Sequence, residues 1–250
     1  MKNNILSIRN LSKTYHTNDL EIEALKDISF DVQENDFISI VGPSGCGKST
    51  ILTILAKLID KSNGDISFNI DNPKIGYMLQ EDSLFSWRTV LENACLGLEI
   101  KNKLTKENKE KVINLLKKYG LGDFINSYPN SLSGGLKQRV ALIRTLALDP
   151  DILLLDEPFS ALDYQTRLSL SNDLYNIIKS ENKTAIMVTH DIGEAISLSS
   201  KVIIISNRPG TIKDIIDIEL TKKGLPTSNR KDEKFNYYYD KIWKELDHHV

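Results

Sequence analysis

One stretch of the chain pairs residue types that could hold phosphate: Gly42-Pro43-Ser44-Gly45-Cys46-Gly47-Lys48-Ser49-Thr50. Glycines let main-chain N–H groups converge on anionic oxygens without a Cβ in the way. Lys48 adds a positive charge that can reach the β- and γ-phosphates, and the Ser49 hydroxyl can ligate Mg²⁺. The flanks decide whether this chemistry is available. An apolar run, Phe37-Ile38-Ser39-Ile40-Val41, precedes the loop, and a helix-patterned run, Ile51-Leu52-Thr53-Ile54-Leu55, follows it. Strand, glycine-rich turn and helix in that order bring the positive end of the helix dipole to the phosphates. A glycine turn that merely contained a lysine would need neither flank.

A phosphate loop of this kind needs a second carboxylate site for Mg²⁺. Asp156 ends the apolar run Ile152-Leu153-Leu154-Leu155 and supplies one. Glu157 follows it and is the candidate to polarise an attacking water. Adjacent strand residues point to opposite faces, so both acids serve one site only where the chain turns at the strand end. A charged strand terminus capped by Pro158 would account for one acid but not for the pair. Tyr15 has two readings: an aromatic that stacks on a purine base, or a half-buried strand tyrosine. Ser133, Gly134 and Gly135 join a hydroxyl and close backbone approach at the start of a helix pattern, a second anion site separate from the first.

The surrounding pattern shows what must position these residues. Residues 5–41 alternate apolar and polar positions, with a turn at Asn35-Asp36, and read as antiparallel strands with one buried face. Asp65-Ile66-Ser67-Phe68 and Lys74-Ile75-Gly76-Tyr77-Met78-Leu79 read as further strands, the second ending at Gln80. Helix periodicity then runs over Arg88 to Leu98, Thr105 to Tyr119 and Gly134 to Leu148, with Gly120 as a C-cap. Beyond it, Asp151 to Asp156, Thr184 to Thr189 and Val202 to Ile205 read as strands. Helix patterns over Tyr164 to Lys179 and Ile192 to Leu198 separate them. That alternation predicts a parallel sheet with right-handed crossovers. Arg208-Pro209-Gly210-Thr211 predicts a turn before a last strand, Ile212 to Ile218. The residues after 220 are polar and charged, with a tyrosine cluster, and predict a terminal surface helix without chemistry; His248 and His249 read as exposed terminal residues rather than metal ligands.

Composition narrows the function classes. A chain of 250 residues with 26% charged residues and a formal net charge of −2 carries no basic field that would recruit nucleic acid. Two cysteines, Cys46 and Cys95, are too few for a disulfide framework and suit a reducing compartment. No signal peptide is visible, and no window approaches the roughly 18 apolar residues of a membrane span. Any work at a membrane is then expected to be peripheral.

Leu132-Ser133-Gly134-Gly135-Leu136-Lys137-Gln138-Arg139 resembles the signature sequence of ATP-binding-cassette (ABC) ATPases. The resemblance covers nearly the whole chain, and the motifs fall in that family's order. It implies an α/β P-loop NTPase (RecA-like) core with an N-terminal antiparallel β subdomain and an inserted helical subdomain. The expected layout is one ATPase domain over 1–220, with core at 1–84 and 149–220, helices at about 85–148, and a tail at 221–250. It implies ATP and Mg²⁺ as ligands. Tyr15 matches the adenine-stacking aromatic, Gln80 the glutamine that senses Mg²⁺ and the attacking water, and His190 the histidine at the γ-phosphate. Ser160-Ala161-Leu162-Asp163 matches the segment that touches the opposite subunit's site. In the family, the signature of one subunit closes over the γ-phosphate held by the P-loop of another, so a head-to-tail dimer is implied. Leu136 departs from the family's common glutamine; apolar residues also occur there in the importer branch.

Leu84-Phe85-Ser86-Trp87-Arg88-Thr89-Val90-Leu91-Glu92-Asn93 and Arg208-Pro209-Gly210-Thr211-Ile212 are similar to the ATPases of nitrate, sulfonate and taurine importers. ATPases that import thiamine precursors share these features. The resemblance therefore implies permease partners, indirectly a solute-binding protein, and a place on the cytoplasmic face of the membrane. Trp87 is read either as a permease contact or as subdomain packing. The rival readings are a soluble ABC protein acting on nucleic acid or ribosomes, and an exporter ATPase.

Overall fold

The computed structural model describes residues 3–16, 20–160 and 162–247, so Ala161, His248 and His249 lie outside the described residues. β1 (Asn4–His16) and β2 (Glu21–Gln33) pair antiparallel, and β4 (Asn63–Phe68) adds to the other edge of β1. Their alternation puts Leu6, Ile8 and Leu11 of β1 and Ile28, Phe30 and Val32 of β2 inside.

The expectation of antiparallel pairing across 5–41 fails at its last strand. β3 (Phe37–Val41) is buried at every position and pairs in parallel with β7 (Thr184–Val188) and β8 (Lys201–Ile205). A strand covered on both faces requires apolar residues throughout. Its one polar side chain, Ser39, is satisfied by Ser199 Oγ at 2.5 Å.

With β5 (Ile75–Met78), β6 (Ile152–Asp156) and β9 (Ile212–Asp217), these form a six-stranded sheet of order β5-β6-β7-β3-β8-β9. The first five strands run parallel, and β9 runs antiparallel to β8. On one face Ile38, Ile40, Leu154 and Ile186 pack with α1 (Lys48–Leu55) and the small sheet. On the other, Leu153, Leu155 and Met187 meet α5 (Tyr164–Ser180), while Val41, Val202 and Ile204 meet α6 (Ile192–Leu198).

Parallel strands share one carboxyl-terminal edge, and that edge is where such sheets bind ligands. The phosphate loop leaves β3 there, Gln80 follows β5, Asp156-Glu157 closes β6, and His190 follows β7. Four stretches distant in sequence are thereby delivered to one place.

α2 (Val90–Ile100), α3 (Lys106–Lys118) and α4 (Gly134–Leu146) share an apolar cluster of their own. α2 starts two residues later than its periodicity suggests because Thr89 caps it in a reciprocal box with Glu92. α3 is capped by Thr105 and ends at Lys118, with Tyr119 as its C-cap and Gly120 just beyond in the left-handed conformation at φ 75°.

The residues after 220 are not a bare surface tail. α7 (Pro226–Asn229) and α8 (Phe235–Asp247) lie against the core, and Phe235, Tyr238 and Ile242 are buried in the cluster that contains α6 and β8. The three-to-four-residue spacing of those apolar side chains is a helix stripe. Among the described residues no helix is long and apolar enough to cross a membrane.

Candidate active site

The phosphate loop is a tight structure held by its own backbone. Gly45 and Gly47 have φ of 75° and 100°, and Gly47 is the residue from which α1 starts. A Cβ on Gly47 would lie 2.7 Å from Leu25 Cδ2 and 3.0 Å from the Ala24 carbonyl oxygen. No side chain caps α1, so its first N–H groups face outward in the arrangement that binds anions. Lys48 is buried, and its Nζ donates to the carbonyl oxygens of Gly42 and Pro43 at 2.8 Å each. The lysine thus ties down the loop that it serves. Cys46 is buried beneath it, its Sγ 3.9 Å from Lys48 Nζ, and burial pushes the thiol up. This cysteine fills space; its backbone N–H closes the turn onto Pro43 O.

A cleft of about 400 Å³ opens over the loop. Ser44, Gly45, Ser49 and Thr50 of the loop line it, together with Tyr15 and Glu157. Tyr15 is 37% exposed, and its Oη lies 3.4 Å from Thr50 Oγ1. Tyr15 is thus a partly exposed strand residue that borders the cleft. Lys13 Nζ stands 5.1 Å from its ring centroid.

The acid pair is split by the backbone. Asp156 ends β6 and is 6% exposed. Ser49 Oγ donates to its Oδ1 at 2.9 Å and Tyr77 Oη to its Oδ2 at 3.0 Å. Burial pushes the Asp156 carboxyl up, and the hydrogen bonds from Ser49 and Tyr77 work against that rise. The next residue, Glu157, takes a left-handed backbone conformation at φ 43°. For a residue with a side chain this conformation costs on the order of 1–3 kcal/mol, and it occurs where the surroundings impose it. Beyond this turn Glu157 lines the cleft, whereas Asp156 does not. Glu157 Oε2 lies 3.1 Å from His190 Nδ1 and 3.5 Å from Gln80 Nε2. Three residues from three strand ends therefore meet at one carboxylate oxygen.

The description "ABC transporter" belongs to the family model that matches residues 25–160, which is more than half of the chain. The chain belongs to the ABC transporter family. It is 48% identical to the uncharacterized ABC transporter ATP-binding protein YtlC of Bacillus subtilis, over 96% of this chain and 95% of that protein. It is 39% identical to the aliphatic sulfonates import ATP-binding protein SsuB of Bacillus anthracis, over 97% of this chain and 96% of that one. Among solved structures it is similar to the dimeric ATP-binding cassette MJ0796 in a post-hydrolysis state bound to ADP and Pi. That match has a TM-score of 0.74 and 33% identity, and covers 86% of this chain and 99% of that one. The fold is that of an ABC ATPase cassette, and ATP binding and hydrolysis are the activity characteristic of the family.

The Ser133-Gly134-Gly135 stretch does not line this cleft. Ser133 caps α4, accepting from Leu136 N, and Gly134 and Gly135 open that helix beside α5. A Cβ on Gly135 would lie 2.6 Å from Thr166 Cγ2, and one on Gly134 would lie 3.3 Å from Leu162 Cδ2. Asp163 caps α5, accepting from the N–H groups of Gln165 and Thr166. The Thr166 hydrogen bonds hold its carboxyl below the usual range. Gly134 and Gly135 thus lie close to Leu162 and Thr166, on either side of Asp163, and neither stretch borders the phosphate-loop cleft.

Two further residues reach the site that the sequence motifs do not assign to it. Tyr77 reaches Asp156 only because β5 lies next to β6, pairing Tyr77 with Leu154. Arg208 borders the cleft because the turn after β8 is stitched to β2, with Gly210 N donating to Ala24 O and Lys26 N to Gly210 O, each at 2.9 Å. The Gln80–Trp87 segment is held from below: Arg144 donates to the carbonyls of Asp82 and Ser83, and buried Asn93 Nδ2 to those of Phe85, Arg88 and Thr89. Trp87 is 71% exposed, and among the described residues it stacks on Phe85 alone, ring centroids 4.9 Å apart. Packing inside the helical cluster does not account for it.

Proposed function

We propose that this chain is the ATP-hydrolysing subunit of an importer for a small anion or organic solute, working as a head-to-tail dimer on the cytoplasmic face of a membrane. The observation that carries the catalytic part is the division of the acid pair. Asp156 is buried and doubly hydrogen-bonded, while Glu157 lines the cleft beside His190 and Gln80.

In this reading the loop from Gly42 to Thr50 wraps the phosphates and Lys48 exchanges its own loop carbonyls for phosphate oxygens. Tyr15 stacks on the adenine. Glu157 takes the proton of the attacking water, and His190 and Gln80 hold that water and the γ-phosphate in register. The donor set at Ser49 and Asp156 fits Mg²⁺: a hydroxyl and a carboxylate, both hard oxygen ligands, adjoin the loop, leaving phosphate oxygens and water to complete the shell. Gln80 would complete the protein's share. Bound Mg²⁺ would neutralise charge on the phosphates.

An anion-binding helix start that faces no phosphate in its own chain supports a composite site. Ser133, Gly134, Gly135 and Asp163 of a second copy would close over the nucleotide. Support for import comes from the sulfonate importer ATPases at 39% identity and from the exposed Phe85–Trp87 pair, a surface on which a permease helix would dock. The solute, sulfonate-like or a thiamine precursor, would reach the permease on a separate binding protein.

The decisive experiment is ATP turnover by Glu157→Gln beside Lys48→Ala. Glu157→Gln should keep ATP binding while turnover falls by about 10²-fold or more, and Lys48→Ala should lose both. Normal hydrolysis by Glu157→Gln would remove Glu157 as the base. For import, the chain should co-purify with a membrane permease; ATPase activity stimulated by nucleic acid instead would favour the rival class.

A further inference from the structure

His190 is held by what lies beneath it, and part of that support comes from the far end of the chain. Asp191 caps α6, its Oδ1 accepting from Glu194 N at 2.9 Å. Thr189 Oγ1, on the other side of His190, donates to Glu194 Oε2 at 2.7 Å and accepts from Asp191 N at 3.1 Å. Two arginines converge on this knot. Arg167 of α5 places Nη1 3.3 Å from Asp191 Oδ2 and Nε 3.6 Å from Glu194 Oε1. Its Nη2 donates to Leu162 O, next to Asp163. Arg230, just after α7, places Nη2 3.9 Å from Asp191 Oδ1.

The delivery of Arg230 is built with care. Asn229, fully buried, donates to the Ser197 carbonyl of α6 at 2.7 Å and accepts from Gly224 N at 2.8 Å. Thr227 N donates to Asn172 Oδ1 of α5 at 3.1 Å. The guanidinium then fills the space over Gly193, where a Cβ would lie 2.6 Å from Arg230 Nη1. Arg230 Nε is buried with no hydrogen-bond partner among the described residues. A donor left so in a folded protein calls for an explanation other than local satisfaction. The pairing that Arg230 does make is one of charge: with Arg167 it faces the Asp191 carboxylate, which loses one of its two cationic neighbours when Arg230 is removed.

We propose that Arg230 is a positioning residue for hydrolysis. With Arg167 it fixes the Asp191 carboxylate and the start of α6, and so sets where His190 stands against Glu157. The segment after residue 220 is then part of the hydrolytic machinery. This rests on the reading of His190 as a γ-phosphate and water contact. A displacement of His190 acts on turnover rather than on nucleotide affinity, because the phosphate loop and Tyr15 are untouched.

The test is steady-state ATPase kinetics of the full chain carrying Arg230→Met, which keeps the apolar stem, alone and combined with His190→Ala. Arg230→Met should lower kcat about tenfold with KM for ATP within about twofold, and Arg230→Lys should recover most of the loss, since the contact is one of charge. The double variant should be no slower than His190→Ala alone. Gly193→Ala, whose Cβ would lie 2.6 Å from Arg230 Nη1 and 3.1 Å from Asp191 Oδ1, disturbs the same contact from the α6 side; it should reproduce the kcat loss and carries the test if Arg230→Met does not fold. Unchanged kcat in the folded variants, or multiplicative losses in the double variant, would overturn the proposal while leaving the site reading intact. Full turnover by His190→Ala would instead bring down the site reading, and this inference with it.

Discussion

Replacing Tyr77 by Phe removes one hydroxyl and leaves the ring, so it isolates a single hydrogen bond at the acid that would hold Mg²⁺. Asp156 is 6% exposed and its carboxyl is already pushed up by burial; two donated hydrogen bonds oppose that rise, one from Ser49 and one from Tyr77. Tyr77's own phenol is pushed up by burial and by the neighbouring Asp156 charge, so it remains a donor throughout the neutral range. A hydrogen bond to a charged group contributes roughly 1.5–3 kcal/mol. Because the Ser49 bond survives, the lower figure applies, about a tenfold weakening for a cation that needs the ionised, oriented carboxylate. The sign with pH follows from the same contacts. Losing the donor lifts the Asp156 carboxyl further, so protons compete with the cation at higher pH and the defect grows as pH falls. Phosphate release against free Mg²⁺, at fixed ATP and at two pH values, reads this out. Tyr77→Phe should raise half-saturating Mg²⁺ about tenfold near neutrality, and by more in acid. Half-saturation within twofold of the parent at both pH values would refute the role given to Tyr77.

Gly47→Ala forces a side chain into φ 100° and onto Leu25 Cδ2 at 2.7 Å; thermal melting should show a loss of roughly 1–3 kcal/mol, with ATP affinity falling too. Glu194 is almost fully buried, and its carboxyl is pushed up to about 7 by burial, with Asp191 adding to the rise and Thr189, Arg167 and Arg230 opposing it. The folded protein therefore holds a proton that the unfolded chain releases above its ordinary 4.5, so this group's contribution to stability is full below about 4.5 and is lost as pH rises to about 7. Glu194→Gln should flatten that fall: the gap between parent and variant urea midpoints should change from pH 5 to pH 8, in favour of the variant at pH 8.

The parts of the site that the sequence makes legible are those in which local chemistry and position coincide. Gly42 to Thr50 announces itself because glycine, lysine and hydroxyls must be contiguous to wrap a phosphate. Asp156 and Glu157 stand out because two acids follow a wholly apolar strand. What could not be read is whatever depends on sheet order. Tyr77 lies 79 positions from Asp156, and nothing in its own strand marks β6 as the neighbour. Arg208 borders the cleft only through pairing of its turn with β2. Phe37 to Val41 reads as one more alternating strand until its parallel partners are known. The end of the chain misleads for another reason: its charged composition dominates, and the stripe of Phe235, Tyr238 and Ile242 is diluted among tyrosines that stay exposed. Arg230, amid polar residues, gives no sign that it meets Asp191.

In the proposed dimer the phosphate loop is half of a site whose other half, Ser133 to Gly135, belongs to a second copy. Sedimentation of the Glu157→Gln chain with and without ATP tests it most directly. ATP should double the mass, with two nucleotides held per pair, and Ser133→Arg should abolish the pairing while each chain still binds ATP. A Glu157→Gln chain that stays monomeric when saturated with ATP, or a Ser133→Arg chain that pairs as before, would contradict it.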